Sequence, residues 1–213
     1  MTFPMRPPRS APTAIAVAAA ALALGVSACG GSSGSDPTKP RYLGSVATPQ
    51  LPAPPLRLDD SLGKPVNIDD YRGKAVLVTF LYDHCPDICP LIVGHLHTAL
   101  AQLGGDARKL QIIAVSVDPK GDTPKTVKRF LAEHQMTGKM QYLIGSRPQL
   151  ERTWKAWHIK AASRATKDNP DAVEHSALIY GISGAGKLTT LYPANFAPRM
   201  IVHDVPLLAS QSS

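Results

Sequence analysis

The sequence predicts an α/β layer structure in which strands alternate with helices and the chain closes on a hairpin and a final helix. Three observations carry that class. Ala75-Val76-Leu77-Val78-Thr79-Phe80-Leu81-Tyr82 is a nearly continuous β-branched and aromatic run, the pattern of a central strand buried on both faces. Ile92, Leu96, Leu100 and Leu103 then recur at helical spacing. Residues 56–213 form a stretch long enough to enclose one hydrophobic core.

The remaining elements follow in order. The helix predicted over 90–103 stops at Gly104-Gly105, because glycine tolerates the backbone that ends a helix. Residues 110–117 read as a second buried strand. Asp122-Thr123-Pro124 supplies a cap and a first-turn proline for a helix reaching about His134. A short strand over 141–144 precedes Ser146-Arg147-Pro148, which opens a helix with Leu150, Trp154 and Trp157 on one side. Residues 176–182 form a strand, Gly184-Ala185-Gly186 a turn, and 188–192 the returning strand. A last helix is expected within 201–209. Gly181 to Lys187 imitates a phosphate loop, but Leu188 replaces the required Ser or Thr and a strand follows where a helix is needed. It is read as a turn.

The N-terminal residues are of another kind. Residues 1–28 carry Arg6 and Arg9, no acidic residue and an apolar run from Ala11 to Val26, the layout of an export signal. Val26-Ser27-Ala28-Cys29 looks like a lipobox, which makes Cys29 the expected site of lipidation. Residues 29–55, rich in Gly and Ser and then in Pro, bury nothing and read as a tether. The expectation is an exported protein, lipid-anchored to the outer face of the bacterial cytoplasmic membrane. The formal charge of +7 is scattered, with no arginine-rich helix or aromatic-interleaved patch, so nucleic acid is not expected as a partner.

The chemistry concentrates in His84-Cys85-Pro86-Asp87-Ile88-Cys89-Pro90 and in Glu174-His175-Ser176. Cys85 and Cys89 are four apart; on the first turn of a helix both sulfurs share one face and close on a single ion. Two thiolates and one imidazole suit a soft ion of low coordination number, Cu(I) before Mg, Ca or Mn. Structural zinc takes four protein ligands, and three are evident. Outside the cytosol such a pair is either oxidised to a disulfide or held by metal, and the spacing alone leaves both open. A cysteine at a helix N-terminus favours the thiolate. Residues 160–174, polar and rich in small side chains, read as a mobile loop that delivers His175.

With these blocks in order, the chain resembles the Sco/SenC family, thioredoxin-fold proteins that carry copper to the copper centre of cytochrome c oxidase. The resemblance rests on Gly63-Lys64-Pro65 and Arg72-Gly73-Lys74, the motif His84–Pro90, Val115-Ser116-Val117-Asp118-Pro119 with Asp122-Thr123-Pro124, and Glu174-His175-Ser176. It implies a thioredoxin-like fold with a central mixed sheet flanked by helices. It implies Cys85, Cys89 and His175 as ligands of copper, as Cu(I) or Cu(II), with Cys85 and Cys89 also able to form a redox disulfide. The implied partners are the copper-bearing oxidase subunit and another copper chaperone as donor. Asp118, near the end of the neighbouring strand, is expected to support the ligands from behind. Three positions depart from the family pattern. Asp83 stands where Thr is common, and an acid there is expected to raise the thiol pKa or bind a second ion weakly. Gly121 replaces the usual arginine, and Glu174 replaces Asp. His84 is expected to point away from the cysteines. The competing expectation is a thiol–disulfide oxidoreductase that keeps the oxidase's copper-site cysteines reduced; the three-residue spacer departs from the CxxC redox pair.

Overall fold

The structure is a computed structural model that describes residues 41–163, 173–174 and 176–211. The export signal, Cys29 and His175 lie outside the described residues. Ten strands and four helices are present among those described: β1 (Ser45–Val46), β2 (Arg57–Asp60), β3 (Pro65–Asn67), β4 (Ala75–Leu81), α1 (Ile88–Leu103), β5 (Leu110–Ser116), α2 (Pro124–Glu133), β6 (Gln141–Ile144), α3 (Arg147–Ala156), β7 (Ala162–Ser163), β8 (Val173–Glu174), β9 (Leu178–Ile182), β10 (Leu188–Pro193) and α4 (Pro198–Ala209). Eight strands form one mixed sheet in the order β1-β10-β9-β4-β5-β6-β2-β3, and β7 pairs with β8 apart from it. The expected mixed sheet flanked by helices is present.

β4 lies at the sheet centre with all seven residues buried, parallel to β5 and antiparallel to β9. That placement is why its sequence is apolar at every position. β5 runs parallel to β6, so β4-α1-β5-α2-β6 is a pair of helical crossovers. α1 and α4 pack together on one face of the sheet. On the other face Trp157, at the end of α3, meets Phe80 and Tyr180 at ring-centroid distances of 5.9 and 5.4 Å. α2 starts from a reciprocal cap between Thr123 and Thr126, α3 from one between Ser146 and Gln149, each with proline in the first turn.

The sequence pattern indicates no strands before residue 75, yet β2 and β3 form a hairpin that adds to β6. The part of the 29–55 segment that is described lies along the domain: Ser45 and Val46 pair with β10, and Ala53 N–H donates to Gly186 O. The expected loop over 160–174 also contains strand structure, because Ala162–Ser163 pairs antiparallel with Val173–Glu174. No helix among the described residues is long and apolar enough to cross a membrane.

Asp204 ties this N-terminal segment to α4. Its carboxylate is fully buried and accepts from Leu43 N (2.9 Å), Gly44 N (2.8 Å) and Tyr192 Oη (2.9 Å), with His203 Nδ1 at 2.7 Å. Removing it leaves several buried donors unmatched. Asp204→Ala is therefore expected to cost about 3 kcal/mol in a denaturant titration and to expose residues 41–46 to hydrogen exchange.

Candidate metal centre

β4 and β5 are in register from Ala75 opposite Leu110 to Leu81 opposite Ser116, so both strands end at one level. The loops 82–87 and 117–123 leave side by side there, joined by Val117 N–H donating to Leu81 O at 2.9 Å. This is the carboxyl edge of parallel strands, where α/β sheets hold their ligands.

Both cysteines are free and buried. They straddle the helix start and do not share its first turn as the spacing predicts. Cys85 sits in the lead-in turn, its N–H donating to Tyr82 O at 3.4 Å, while Asp87 caps α1 and Cys89 is the second helical residue. The side chains still converge, the Cys89 thiol hydrogen-bonding to Cys85 sulfur, and Cys89 N–H also points at Cys85 Sγ at 3.4 Å. That amide is one of the donors a helix N-terminus leaves unpaired.

The two thiols are driven apart in acidity. The Cys89 side chain donates to Cys85 sulfur and, against the opposing effect of burial, the Cys89 and Asp87 amides and the Tyr82 hydroxyl add to it, bringing Cys85 down to about 6. Cys89 is pushed far up by that same hydrogen bond and by its own burial. Tyr82 is raised to about 12, by burial first and then by the Cys85 charge. The pair therefore holds one proton and one negative charge at neutral pH. Asp83 is not among the leading causes of either shift. In reduced protein a single thiolate titrating near pH 6 is expected in ultraviolet absorbance; Cys89→Ala, which deletes the donor, is expected to move that titration upward.

Asp118 does not approach the sulfurs by hydrogen bond. Its Oδ1 accepts from Lys120 N at 3.0 Å and its Oδ2 lies 3.4 Å from His84 Nε2. His84 packs edge-on to Tyr82 at 5.0 Å with Nδ1 2.8 Å from Asp83 Oδ1. The carboxylate beneath the motif is Asp122, which accepts from Asp83 N and Tyr142 Oη, both at 2.9 Å. Burial lifts it to about 7. Neither Asp122 nor Tyr82 was singled out by the sequence as a site residue. Asp122 reads as part of a helix cap, and with Thr123 doing the capping its side chain is free to turn inward.

His175 lies outside the described residues, but the strand leading to it is placed: the Val173 backbone amide hydrogen-bonds to the Tyr82 hydroxyl, which in turn bonds to Cys85. β8 thus reaches the motif two residues before the expected third ligand. The donor chemistry fits a soft cation, with one thiolate formed and a second thiol beside it.

The chain is 31% identical over 159 residues to Protein SCO2, mitochondrial, of Saccharomyces cerevisiae, covering 73% of this chain and 51% of that protein. It is 27% identical over 142 residues to the SCO1 protein homolog of Bacillus subtilis, covering 65% and 72%. It spans about half the length of the yeast relative. Among solved structures it is similar to Bradyrhizobium japonicum ScoI with copper bound, at 30% identity and a TM-score of 0.66 over 74% of this chain and 99% of that one. It is also similar to apo Sco1 from Thermus thermophilus, at 25% identity and a TM-score of 0.68, covering 79% and 97%. The SCO1/SenC family profile matches residues 47–210, nearly the whole of the described fold, and the chain belongs to that family.

Proposed function

We propose that this protein binds copper through Cys85, Cys89 and His175 and delivers it to the copper centre of cytochrome c oxidase during assembly. The observation that carries the reading is the convergence of the two side chains at a helix N-terminus, the Cys89 thiol hydrogen-bonded to Cys85 sulfur and the Cys89 amide 3.4 Å from the same atom. The copper-bound ScoI to which the chain is similar supports the identity of the ion. The ion is cargo: Cys85 and Cys89 supply a fixed pair of soft donors, and His175, carried on the chain after β8, completes the set from a separate element. A ligand on its own segment gives a route for exchange into an acceptor. Asp118 steadies the loop beside the motif through the Lys120 amide and His84. The partners in this reading are the copper-bearing oxidase subunit and a copper-donating chaperone. A lipid on Cys29 holds the protein at the outer face of the bacterial cytoplasmic membrane.

A second reading has one specific observation in its favour. A low-pKa Cys85 beside a protonated Cys89 is the arrangement of an attacking and a resolving thiol, so the pair suits a thiol–disulfide oxidoreductase for the oxidase's copper-site cysteines. His175 separates the two, because a copper carrier needs it as ligand and thiol exchange does not. A His175→Ala strain is expected to lose oxidase copper-centre assembly in low copper and to recover on added copper, with little response to a membrane-impermeant reductant. A working His175→Ala strain, with a deletion rescued by reductant alone, would overturn copper delivery.

A further inference from the structure

We propose that Asp83, His84 and Asp122 form a second cation site beside the cysteine pair, built from oxygen and nitrogen donors and suited to a borderline divalent ion such as Zn2+ or Co2+. One ligand atom from each of the three lies within 4.8 Å of the others. Small side-chain adjustments bring such a trio to the roughly 2.1 Å distances of carboxylate and imidazole bonds to zinc. Two carboxylates and one imidazole exclude a preference for Cu(I), which the neighbouring thiols satisfy. The two sites thus divide soft from harder cations.

An orphaned atom points to the ligand independently. Asp83 has only 4% of its side chain exposed, and its Oδ2 is buried with no hydrogen-bond partner among the described residues. The atoms around it are already committed. Asp83 Oδ1 faces His84 Nδ1 at 2.8 Å, and His84 Nε2 lies 3.4 Å from Asp118 Oδ2. Even an imidazole carrying both protons leaves Oδ2 unmet. A buried carboxylate oxygen without a donor costs on the order of 1–3 kcal/mol or more, and native proteins reserve such atoms for ions or ordered water. Asp122 accepts from Asp83 N, Tyr142 Oη and Ser116, which together fill three of a carboxylate's roughly four lone-pair sites and leave one for a metal.

Room and charge fit as well. Asp83 and His84 open onto a cleft of about 490 Å³ at the end of β5. Gly121 lines it without a side chain; a Cβ there would run into Asp118 Oδ2 and His84 Cε1. The arginines on the cleft wall are already paired, Arg129 with Glu133 at 3.8 Å and Arg147 with Glu151 at 2.9 Å. Among the described residues Lys120 is the remaining cationic side chain lining the cleft, against Asp83 and Asp118 in its wall, with Asp122 bonded to the Asp83 amide.

The site uses none of the proposed copper ligands, so it is tested with the thiols removed. Full-length Cys29→Ser/Cys85→Ser/Cys89→Ser protein is titrated with Co2+, followed by visible absorption and calorimetry. One equivalent is expected to bind, with Asp83→Asn and His84→Ala each weakening it at least tenfold and His97→Ala leaving it unchanged. Because either substitution could disturb the loop, the Co2+-induced paramagnetic shift of the His84 ring protons is read in the unsubstituted triple-serine protein. No stoichiometric uptake, uptake insensitive to Asp83→Asn and His84→Ala, or an unshifted His84 would each overturn the site. A failure of copper delivery would leave these outcomes untouched.

Discussion

Replacing either Cys85 or Cys89 by serine is expected to abolish tight copper binding in an anaerobic titration of the reduced protein. A serine oxygen is a hard donor, so the remaining thiolate and imidazole make a poor site for a soft ion. Outer-shell substitutions at metal sites already cost about 10- to 100-fold in affinity, and loss of a direct ligand is expected to exceed about a hundredfold. The two variants should differ in one respect. Cys89→Ser retains a side-chain donor to Cys85, whereas Cys85→Ser removes the low-pKa sulfur itself. Both proteins should fold, because each substitution changes one atom at the sheet edge and keeps the α1 cap on Asp87. Fully reduced wild-type protein that takes up no copper would sink the ligand assignment.

The second large effect is on the fold beneath the site. Trp154 is 6% exposed, and its Nε1 donates to Ser116 O at 2.9 Å, on the last residue of β5. Trp154→Ala removes a large buried side chain and strands that carbonyl. The expected loss is about 4 kcal/mol, a large share of the 5–15 kcal/mol typical of a domain, read as a lowered midpoint in chemical denaturation. Trp154 also lines the cleft beside Asp118. Its loss should therefore loosen residues 117–121, seen as faster amide exchange there than at the C-terminal end of α4.

The two elements that position the cysteines are legible in the sequence for a definite reason. β4 is buried on both faces, so its run of apolar residues needs no periodicity to stand out. The body of α1 is marked by Ile92, Leu96, Leu100 and Leu103, while its Asp87 cap starts it at Ile88, two residues before the expected 90. β2 and β3 escape because they are short and half-exposed, with Arg57, Asp59 and Pro65 on the outer face. Their strand character comes from pairing with β6, a tertiary effect that local pattern does not carry. The same limit applies to the site. Cys85 and Cys89 announce themselves by type and spacing, whereas Asp122 acquires its role only where the loop after β5 meets the loop after β4. Asp83 stands out in sequence as an unusual acid beside the motif, but its unsatisfied oxygen exists only in three dimensions. Asp204, a charged residue in an apolar helix, gives no local hint that it anchors a segment 160 residues earlier.

The unequal sharing of one proton between the cysteines sets the acid released when the site is filled. Cys85 is already ionised at neutral pH and Cys89 is not, so a cation held by both sulfurs expels one proton, where two ordinary thiols would expel two. Above pH 6 the apparent affinity of the loaded pair should rise about tenfold per pH unit, and below it about a hundredfold. A sulfur pair built this way gives up a bound cation steeply in an acidified solution. In a neutral one it responds only gently.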